Sequence, residues 1–150
     1  MSQPKAITKI IPVVLLVAGL GATVAFAGPI EDRQAGMKQV GKSVGAMVPM
    51  FKGEKPYDAA TVKTATAGIH DGWEKAFAAF TEDSKEGPPE TYAKPEIWSD
   101  PEGFKAAQKN AMIALEAVAA STDEASFKAA FPALGKACGG CHEKFRRPKG

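Results

Sequence analysis

The sequence predicts an all-α protein, folded as an antiparallel four-helix bundle. Apolar residues recur at three- and four-residue intervals in four segments, which is the period of helices with one buried face. Turn and capping residues separate these segments, and no stretch shows the apolar–polar alternation of a half-buried strand. Hydrophobic residues make up 45% of the chain and charged residues 24%, as in an ordinary globular domain.

The first two helices are predicted over residues 30–51 and 58–80. Pro49 and the glycine that follows the first segment mark its end. Asp58 is a good N-cap for the second segment, whose apolar face includes Trp73. The next residues, 81–99, are rich in proline and polar side chains and predict a long connection.

The third and fourth helices are predicted over residues 100–120 and 124–146. Asp100 followed by Pro101 supplies an N-cap and a proline at the first helical position. Pro132 falls inside the fourth helix, where its missing N–H group is expected to kink the helix or free a carbonyl. Ile97 and Trp98, just before the third helix, are expected to anchor the long connection in the core.

Residues 1–27 have the features of a secretory signal peptide. Two lysines precede an apolar run over residues 10–22, and Ala25-Phe26-Ala27 is a small-x-small cleavage site. We therefore expect residues 28–150 to be the exported domain and its location to be the periplasm. The alternative is an uncleaved segment that anchors the protein in the membrane.

The charge of the exported domain differs from that of the whole chain. The whole chain has 19 basic and 17 acidic residues and a formal net charge of +2. Lys5 and Lys9 are the only charged residues of the segment 1–27, so the remainder is formally neutral, with 17 of each sign. A neutral domain lacks the basic footprint of nucleic-acid binding, and we expect no nucleic-acid partner.

The strongest motif is Cys138-Gly139-Gly140-Cys141-His142, which matches the C-x-x-C-H signature of covalent haem attachment. Two thiols at this spacing can add to the two vinyl groups on one edge of a porphyrin. The adjacent histidine can then give an imidazole nitrogen to the iron, and glycines between the thiols let the backbone pass close to the ring. We predict one haem c, bound covalently by Cys138 and Cys141, with His142 as an axial ligand.

Two other interpretations of the cysteine pair remain. A disulfide or redox dithiol of the thioredoxin type needs a preceding strand, which the sequence does not predict. A closed zinc site needs two more ligands, and His70 is the only other histidine in the chain. We expect His70 to lie on the surface of the second helix.

The chain resembles the class II c-type cytochromes, the family of cytochrome c′ and cytochrome c-556. In that family the haem motif is also near the C-terminus. The stretches that carry the resemblance are Arg33-Gln34-x-x-Met37-Lys38, Lys52-Gly53-Glu54-Lys55-Pro56-Tyr57-Asp58, Lys94-Pro95-Glu96-Ile97-Trp98 and Gly135-Lys136-Ala137-Cys138-x-x-Cys141-His142-x-x-Phe145-Arg146. The resemblance implies a four-helix bundle with its haem near the last helix.

The resemblance also implies the roles of residues outside the motif. Met37 matches the axial methionine of cytochrome c-556, and we expect it to be the second iron ligand, although it could instead block an open site. Arg33 and Gln34 resemble a pair that contacts the haem propionates; the alternative is a solvated helix start. Arg146 lies one turn after His142 and is expected to tune it, or else simply to favour the helix dipole.

These expectations favour a low-spin electron-transfer cytochrome that works with redox partner proteins and is not an enzyme. The alternative is a five-coordinate cytochrome c′, in which nitric oxide or carbon monoxide binds the open side of the iron. No small-molecule substrate other than such a gas is expected. The family resemblance leaves open a homodimer formed through the first two helices.

Overall fold

The computed structural model describes residues 28–148, and the predicted signal peptide lies outside them. The described residues form five α-helices: α1 Pro29–Phe51, α2 Ala59–Ala78, α3 Glu96–Ser99, α4 Pro101–Ala119 and α5 Glu124–Phe145. The four long helices are the predicted bundle, which confirms the fold class. The short helix α3 and a 3₁₀ turn at Glu82–Ser84 interrupt the long connection. Between residues 28 and 148 no helix is both long and apolar enough to span a membrane.

The beginnings of three long helices follow from their N-cap aspartates. The carboxylate of Asp58 accepts backbone hydrogen bonds at the start of α2, and that of Asp100 does so at the start of α4. Asp123 and Ser126 form a reciprocal capping box at the start of α5. Each cap satisfies N–H groups that have no partner within the helix, which confirms the predicted starts of these helices.

Three predicted helix ends are wrong by one or two residues, since α4 ends at Ala119 rather than Ala120 and α2 and α5 also end early. α2 ends at Ala78, because the N–H groups of Ala79 and Phe80 donate to the carbonyls three residues earlier, as in a 3₁₀ turn. α5 ends at Phe145, because Arg146 is extended and forms an isolated antiparallel bridge with Ala93. The helix runs through Pro132 without interruption. The ends of α2 and α5 are set by contacts with the connection between α2 and α4, and the local sequence does not specify these contacts.

The main core is apolar and receives side chains from every long helix. Met47, Ile69, Val118, Phe127 and Leu134 are almost completely buried in it. Burying a side chain of this size removes its apolar surface from water and stabilises the fold by about 1.5–3 kcal/mol. This cluster holds the four long helices together and thereby positions their ends beside the motif.

The backbones of α1 and α2 approach each other closely at two glycines, Gly36 and Gly72. A Cβ atom at Gly36 would overlap the carbonyl oxygen of Gly72 and lie 2.9 Å from the backbone nitrogen of Ala76. A Cβ atom at Gly72 would lie 2.8 Å from the carbonyl oxygen of Gly36. The backbones therefore touch here, one residue before Met37.

A second apolar cluster fills the end of the bundle that carries the motif. It is formed by the buried Ile97, Phe104 and Phe145, with Phe80 and Trp98 packed against them. Ile97 is fully buried and Trp98 half-buried, so the predicted anchor of the connection is confirmed. The connection is thereby held against α4 and α5, beside the motif.

Candidate haem site

A cleft opens at the end of the bundle that carries the motif. α1 contributes Arg33, Gln34 and Met37 to its lining, and α5 contributes Cys141, His142 and Arg146. Residues that are about a hundred positions apart in the chain thus face one space.

Aromatic rings form the apolar wall of the cleft. Phe104 stands at its centre, with ring centroids 5.0 Å from Phe80, 5.1 Å from Phe145 and 6.3 Å from Phe77. All three contacts are edge-to-face, the arrangement that aromatic pairs favour. An apolar shell of this kind excludes water and would raise the reduction potential of an enclosed iron.

The cysteines lie on successive turns of α5 and are half-buried. Cys141 lines the cleft, whereas Cys138 packs against the main core beside it. A Cβ atom at Gly139 or Gly140 would meet no protein atom within 4 Å. Protein packing therefore does not require glycine at these two positions.

Burial raises the pKa of both thiols, and the nearby Cys138 raises that of Cys141 further. A redox-active dithiol needs the opposite, a thiol pKa lowered by positive charge or a helix N-terminus. The pair lies near the C-terminus of its helix, without a strand before it. These observations disfavour the dithiol interpretation.

Desolvation lowers the pKa of His142, and the positive charge of Arg146 lowers it further. Arg146 is half-buried and lines the same cleft, one turn beyond the histidine. At neutral pH the imidazole is therefore held in the neutral form that can donate a lone pair to a metal.

Met37 differs from the other methionines of the described chain because it lines the cleft. Met47 and Met50 are buried in the core, and Met112 packs at the edge of the core. The sulfur of Met50 already accepts a hydrogen bond from the Asp58 backbone at 3.3 Å. The structure therefore separates Met37 from methionines that only fill the core.

Arg33 is buried, not part of a solvated helix start. Its guanidinium donates to the Ser84 hydroxyl at 2.6 Å, the Ser84 carbonyl at 2.7 Å and the Thr91 hydroxyl at 2.7 Å. Burial lowers its pKa, but a guanidinium stays charged at neutral pH. Within residues 28–148 it forms no ion pair with a carboxylate. A buried positive charge thus borders the cleft without a counter-charge from the described chain.

Gln34 lies at the exposed rim of the cleft. Its side-chain nitrogen donates to the Glu90 carbonyl at 2.7 Å, which joins α1 to the connection. Thr91, Tyr92 and Ala93 of this connection also line the cleft, and the sequence did not predict them there. Only the unusual length of the connection hinted that it packs on a functional element.

His70 is exposed, as expected. Its ring nitrogen lies 3.9 Å from carboxylate oxygens of Asp71 and Glu74. In the described part of the chain these three residues are the only group with ligand atoms close enough to share a metal ion, and they include no motif residue. The geometry therefore gives no support to zinc binding at the two cysteines.

The residues present fit a covalently bound haem. Two free, half-buried thiols lie beside an apolar aromatic cleft, a neutral imidazole faces it, and a buried cation without a counter-charge borders it. The thiols would form the thioether bonds to the haem, and the imidazole would coordinate its iron. The buried cation would face the anionic propionates.

Comparison with known proteins agrees with this geometry. The sequence model of the family "Cytochrome C'" matches residues 28–146. Cytochrome c-556 of Agrobacterium fabrum is 40% identical over 126 residues, which are 82% of this chain and 84% of that protein. Cytochrome c′ of Rhodopseudomonas palustris is 38% identical over 136 residues, covering 90% and 92% of the two chains.

Solved structures show the same fold. The crystal structure of cytochrome c′ from Rubrivivax gelatinosus superposes with a TM-score of 0.73 at 34% identity, over 81% of this chain and 99% of that one. A nitric oxide complex of a cytochrome c prime variant from Alcaligenes xylosoxidans gives 0.72 at 31% identity, over 82% and 99%. The chain therefore belongs to the cytochrome c′ family, which includes cytochromes c-556, and it is a haem c protein.

Proposed function

We propose that this protein is a periplasmic carrier of single electrons, with Cys138 and Cys141 holding its haem and His142 and Met37 as axial ligands. When bound, the haem iron supplies one-electron exchange between its ferric and ferrous states. The protein holds the ligands on two helices of a rigid bundle, so a redox change requires little movement. The observation that carries the proposal is that Met37 and His142 line one cleft.

The electrostatics of the cleft agree with this role. Arg33 places an uncompensated positive charge at one side, where a haem propionate would neutralise it. Gln34 at the rim has a second N–H that a propionate would accept. Arg146 and the aromatic wall both disfavour the extra positive charge of ferric iron, and so favour a raised potential.

Export of the protein follows from its N-terminal sequence. Two lysines, an apolar run and a small-x-small site precede the domain, and the family match begins at residue 28. We propose that cleavage after Ala27 releases the domain into the periplasm, where it exchanges electrons with redox partner proteins. N-terminal sequencing of the exported protein should begin at Gly28; retention of residues 1–27 would indicate the anchored form.

A second candidate function is gas binding by a five-coordinate haem. It is favoured by one observation, the nitric oxide complex solved for the related protein of Alcaligenes xylosoxidans. Here Met37 would cover the distal side without coordinating iron. The two candidates differ in whether the reduced iron has an open coordination position.

The test replaces Met37 by leucine, which keeps the side chain's approximate volume but removes the sulfur. The wild-type holoprotein should be low-spin, with a sulfur-to-iron charge-transfer band when oxidised and slow carbon monoxide binding when reduced. Met37→Leu should lose the band, become high-spin and bind carbon monoxide rapidly. Met112→Leu, at the edge of the core, is the matched control and should keep the wild-type spectrum.

A wild-type protein that is already high-spin and binds carbon monoxide rapidly would contradict methionine ligation and support the second candidate. A Met37→Leu protein that stays low-spin with an unchanged spectrum would show that another group is the ligand.

A further inference from the structure

The residues 91–94, called here the strap, connect the two helices that carry the proposed axial ligands. The Thr91 hydroxyl accepts from the guanidinium of Arg33, which lies on α1 one turn before Met37. At the other end, the Lys94 N–H donates to the Phe145 carbonyl at 3.0 Å. The strap thus bridges α1 and the C-terminal end of α5 across the cleft.

Further hydrogen bonds fix the strap on α5 and on the residues that follow this helix. The Arg147 N–H donates to the Tyr92 carbonyl at 2.7 Å, and the Lys94 ammonium donates to the Glu143 carbonyl at 2.8 Å. Thr91 is buried, and its hydroxyl also accepts from the Ala93 N–H at 3.1 Å. This hydroxyl is therefore the one side-chain atom through which the described strap is bound to α1.

The guanidinium of Arg33 is largely occupied by the connection. Besides Thr91 it binds both the hydroxyl and the carbonyl of Ser84, and it lies 5.1 Å from the ring centroid of Phe80. The planar guanidinium directs its N–H groups to these separate acceptors in a fixed geometry, whereas the ammonium of lysine is a compact charge without this fork. Contact with a propionate is thus not the only use that the fold makes of Arg33.

We propose that Thr91 is a positioning residue, through which Arg33 holds the strap over the haem cleft and fixes α1 relative to α5, while Ser84 fixes the guanidinium of Arg33. The strap closes one side of the cleft, so its loss admits water and lowers the reduction potential. This inference rests on the proposed haem site but not on the identity of the sixth ligand.

The experiment compares Thr91→Val with Thr91→Ser in the holoprotein. Valine removes the hydroxyl at nearly constant volume, and serine keeps it. Loss of a buried hydrogen bond to a charged group should accelerate amide hydrogen exchange at Lys94, whose N–H donates to the Phe145 carbonyl, roughly 10- to 100-fold. The midpoint potential should fall in Thr91→Val and stay near the wild-type value in Thr91→Ser. Thr64→Val, at an exposed position of α2, is the control and should change neither.

The variant Arg33→Lys keeps the positive charge at this position but removes the planar fork of N–H donors. If Arg33 acts through Thr91, lysine should not restore strap protection, and Arg33→Lys combined with Thr91→Val should be no worse than Arg33→Lys alone. The proposal is overturned if Thr91→Val exchanges and titrates like the wild type, or if Arg33→Lys retains full protection. A high-spin wild-type spectrum would contradict the proposed axial ligand but leave the exchange result intact.

Discussion

Substitution of Gly36 by alanine tests the close contact between α1 and α2. The new methyl group would overlap the Gly72 carbonyl oxygen and lie 2.9 Å from the Ala76 nitrogen. Both obstacles are backbone atoms of the facing helix, so no side chain can rotate away and the helices must separate. Overpacking of this kind costs about 1–3 kcal/mol, while alanine in a helix gains about 1 kcal/mol over glycine. The expected net loss is about 0–2 kcal/mol of unfolding free energy.

Gly41→Ala on the same helix is the matched control. A Cβ atom there meets nothing within 4 Å, so only the gain in helix propensity remains. This variant should be more stable than the wild type by about 0.5–1 kcal/mol. Denaturant unfolding of the holoproteins, monitored by circular dichroism, measures both changes. Equal stability of the two variants would refute the close backbone contact as the reason for glycine at position 36.

Three further predictions concern the cleft, the connections and pH. Phe104→Ala removes the central ring of the aromatic wall and should cost about 3–5 kcal/mol in chemical unfolding, together with a lower midpoint potential in redox titration. Tyr57→Phe removes one hydrogen bond to a backbone carbonyl and should cost about 0.5–1.5 kcal/mol, measured in the same way. Hydrogen bonds, chiefly from Thr61, Lys144 and Ser126 respectively, lower the pKa of Asp58, Asp100 and Asp123 below 3.8, the usual value of an aspartate. Their stabilisation is present above that pH and is lost as the pH falls through the lowered values, so replacing all three by asparagine should flatten the acid limb of a stability–pH curve.

The helices were predictable because their signals are local. Asp58 and Asp100 are followed directly by the segments they cap, and the apolar spacing of each segment gives its buried face. The ends of α2 and α5 were less predictable, because Phe80 and Arg146 leave the helix to contact parts of the chain that are distant in sequence. The short helix Glu96–Ser99 was missed since a single turn has no periodicity to detect.

The sequence by itself determined the cofactor motif, because two thiols and an imidazole within five consecutive residues require only one helix to present them. Tertiary structure decided which distant residues share the cleft. Among the described methionines, Met37 is the one that lines the cleft. Arg33 is buried against Ser84 and Thr91, which are 51 and 58 residues further along the chain. Such contacts depend on how the helices pack, and no local pattern encodes a hydrogen bond across that separation.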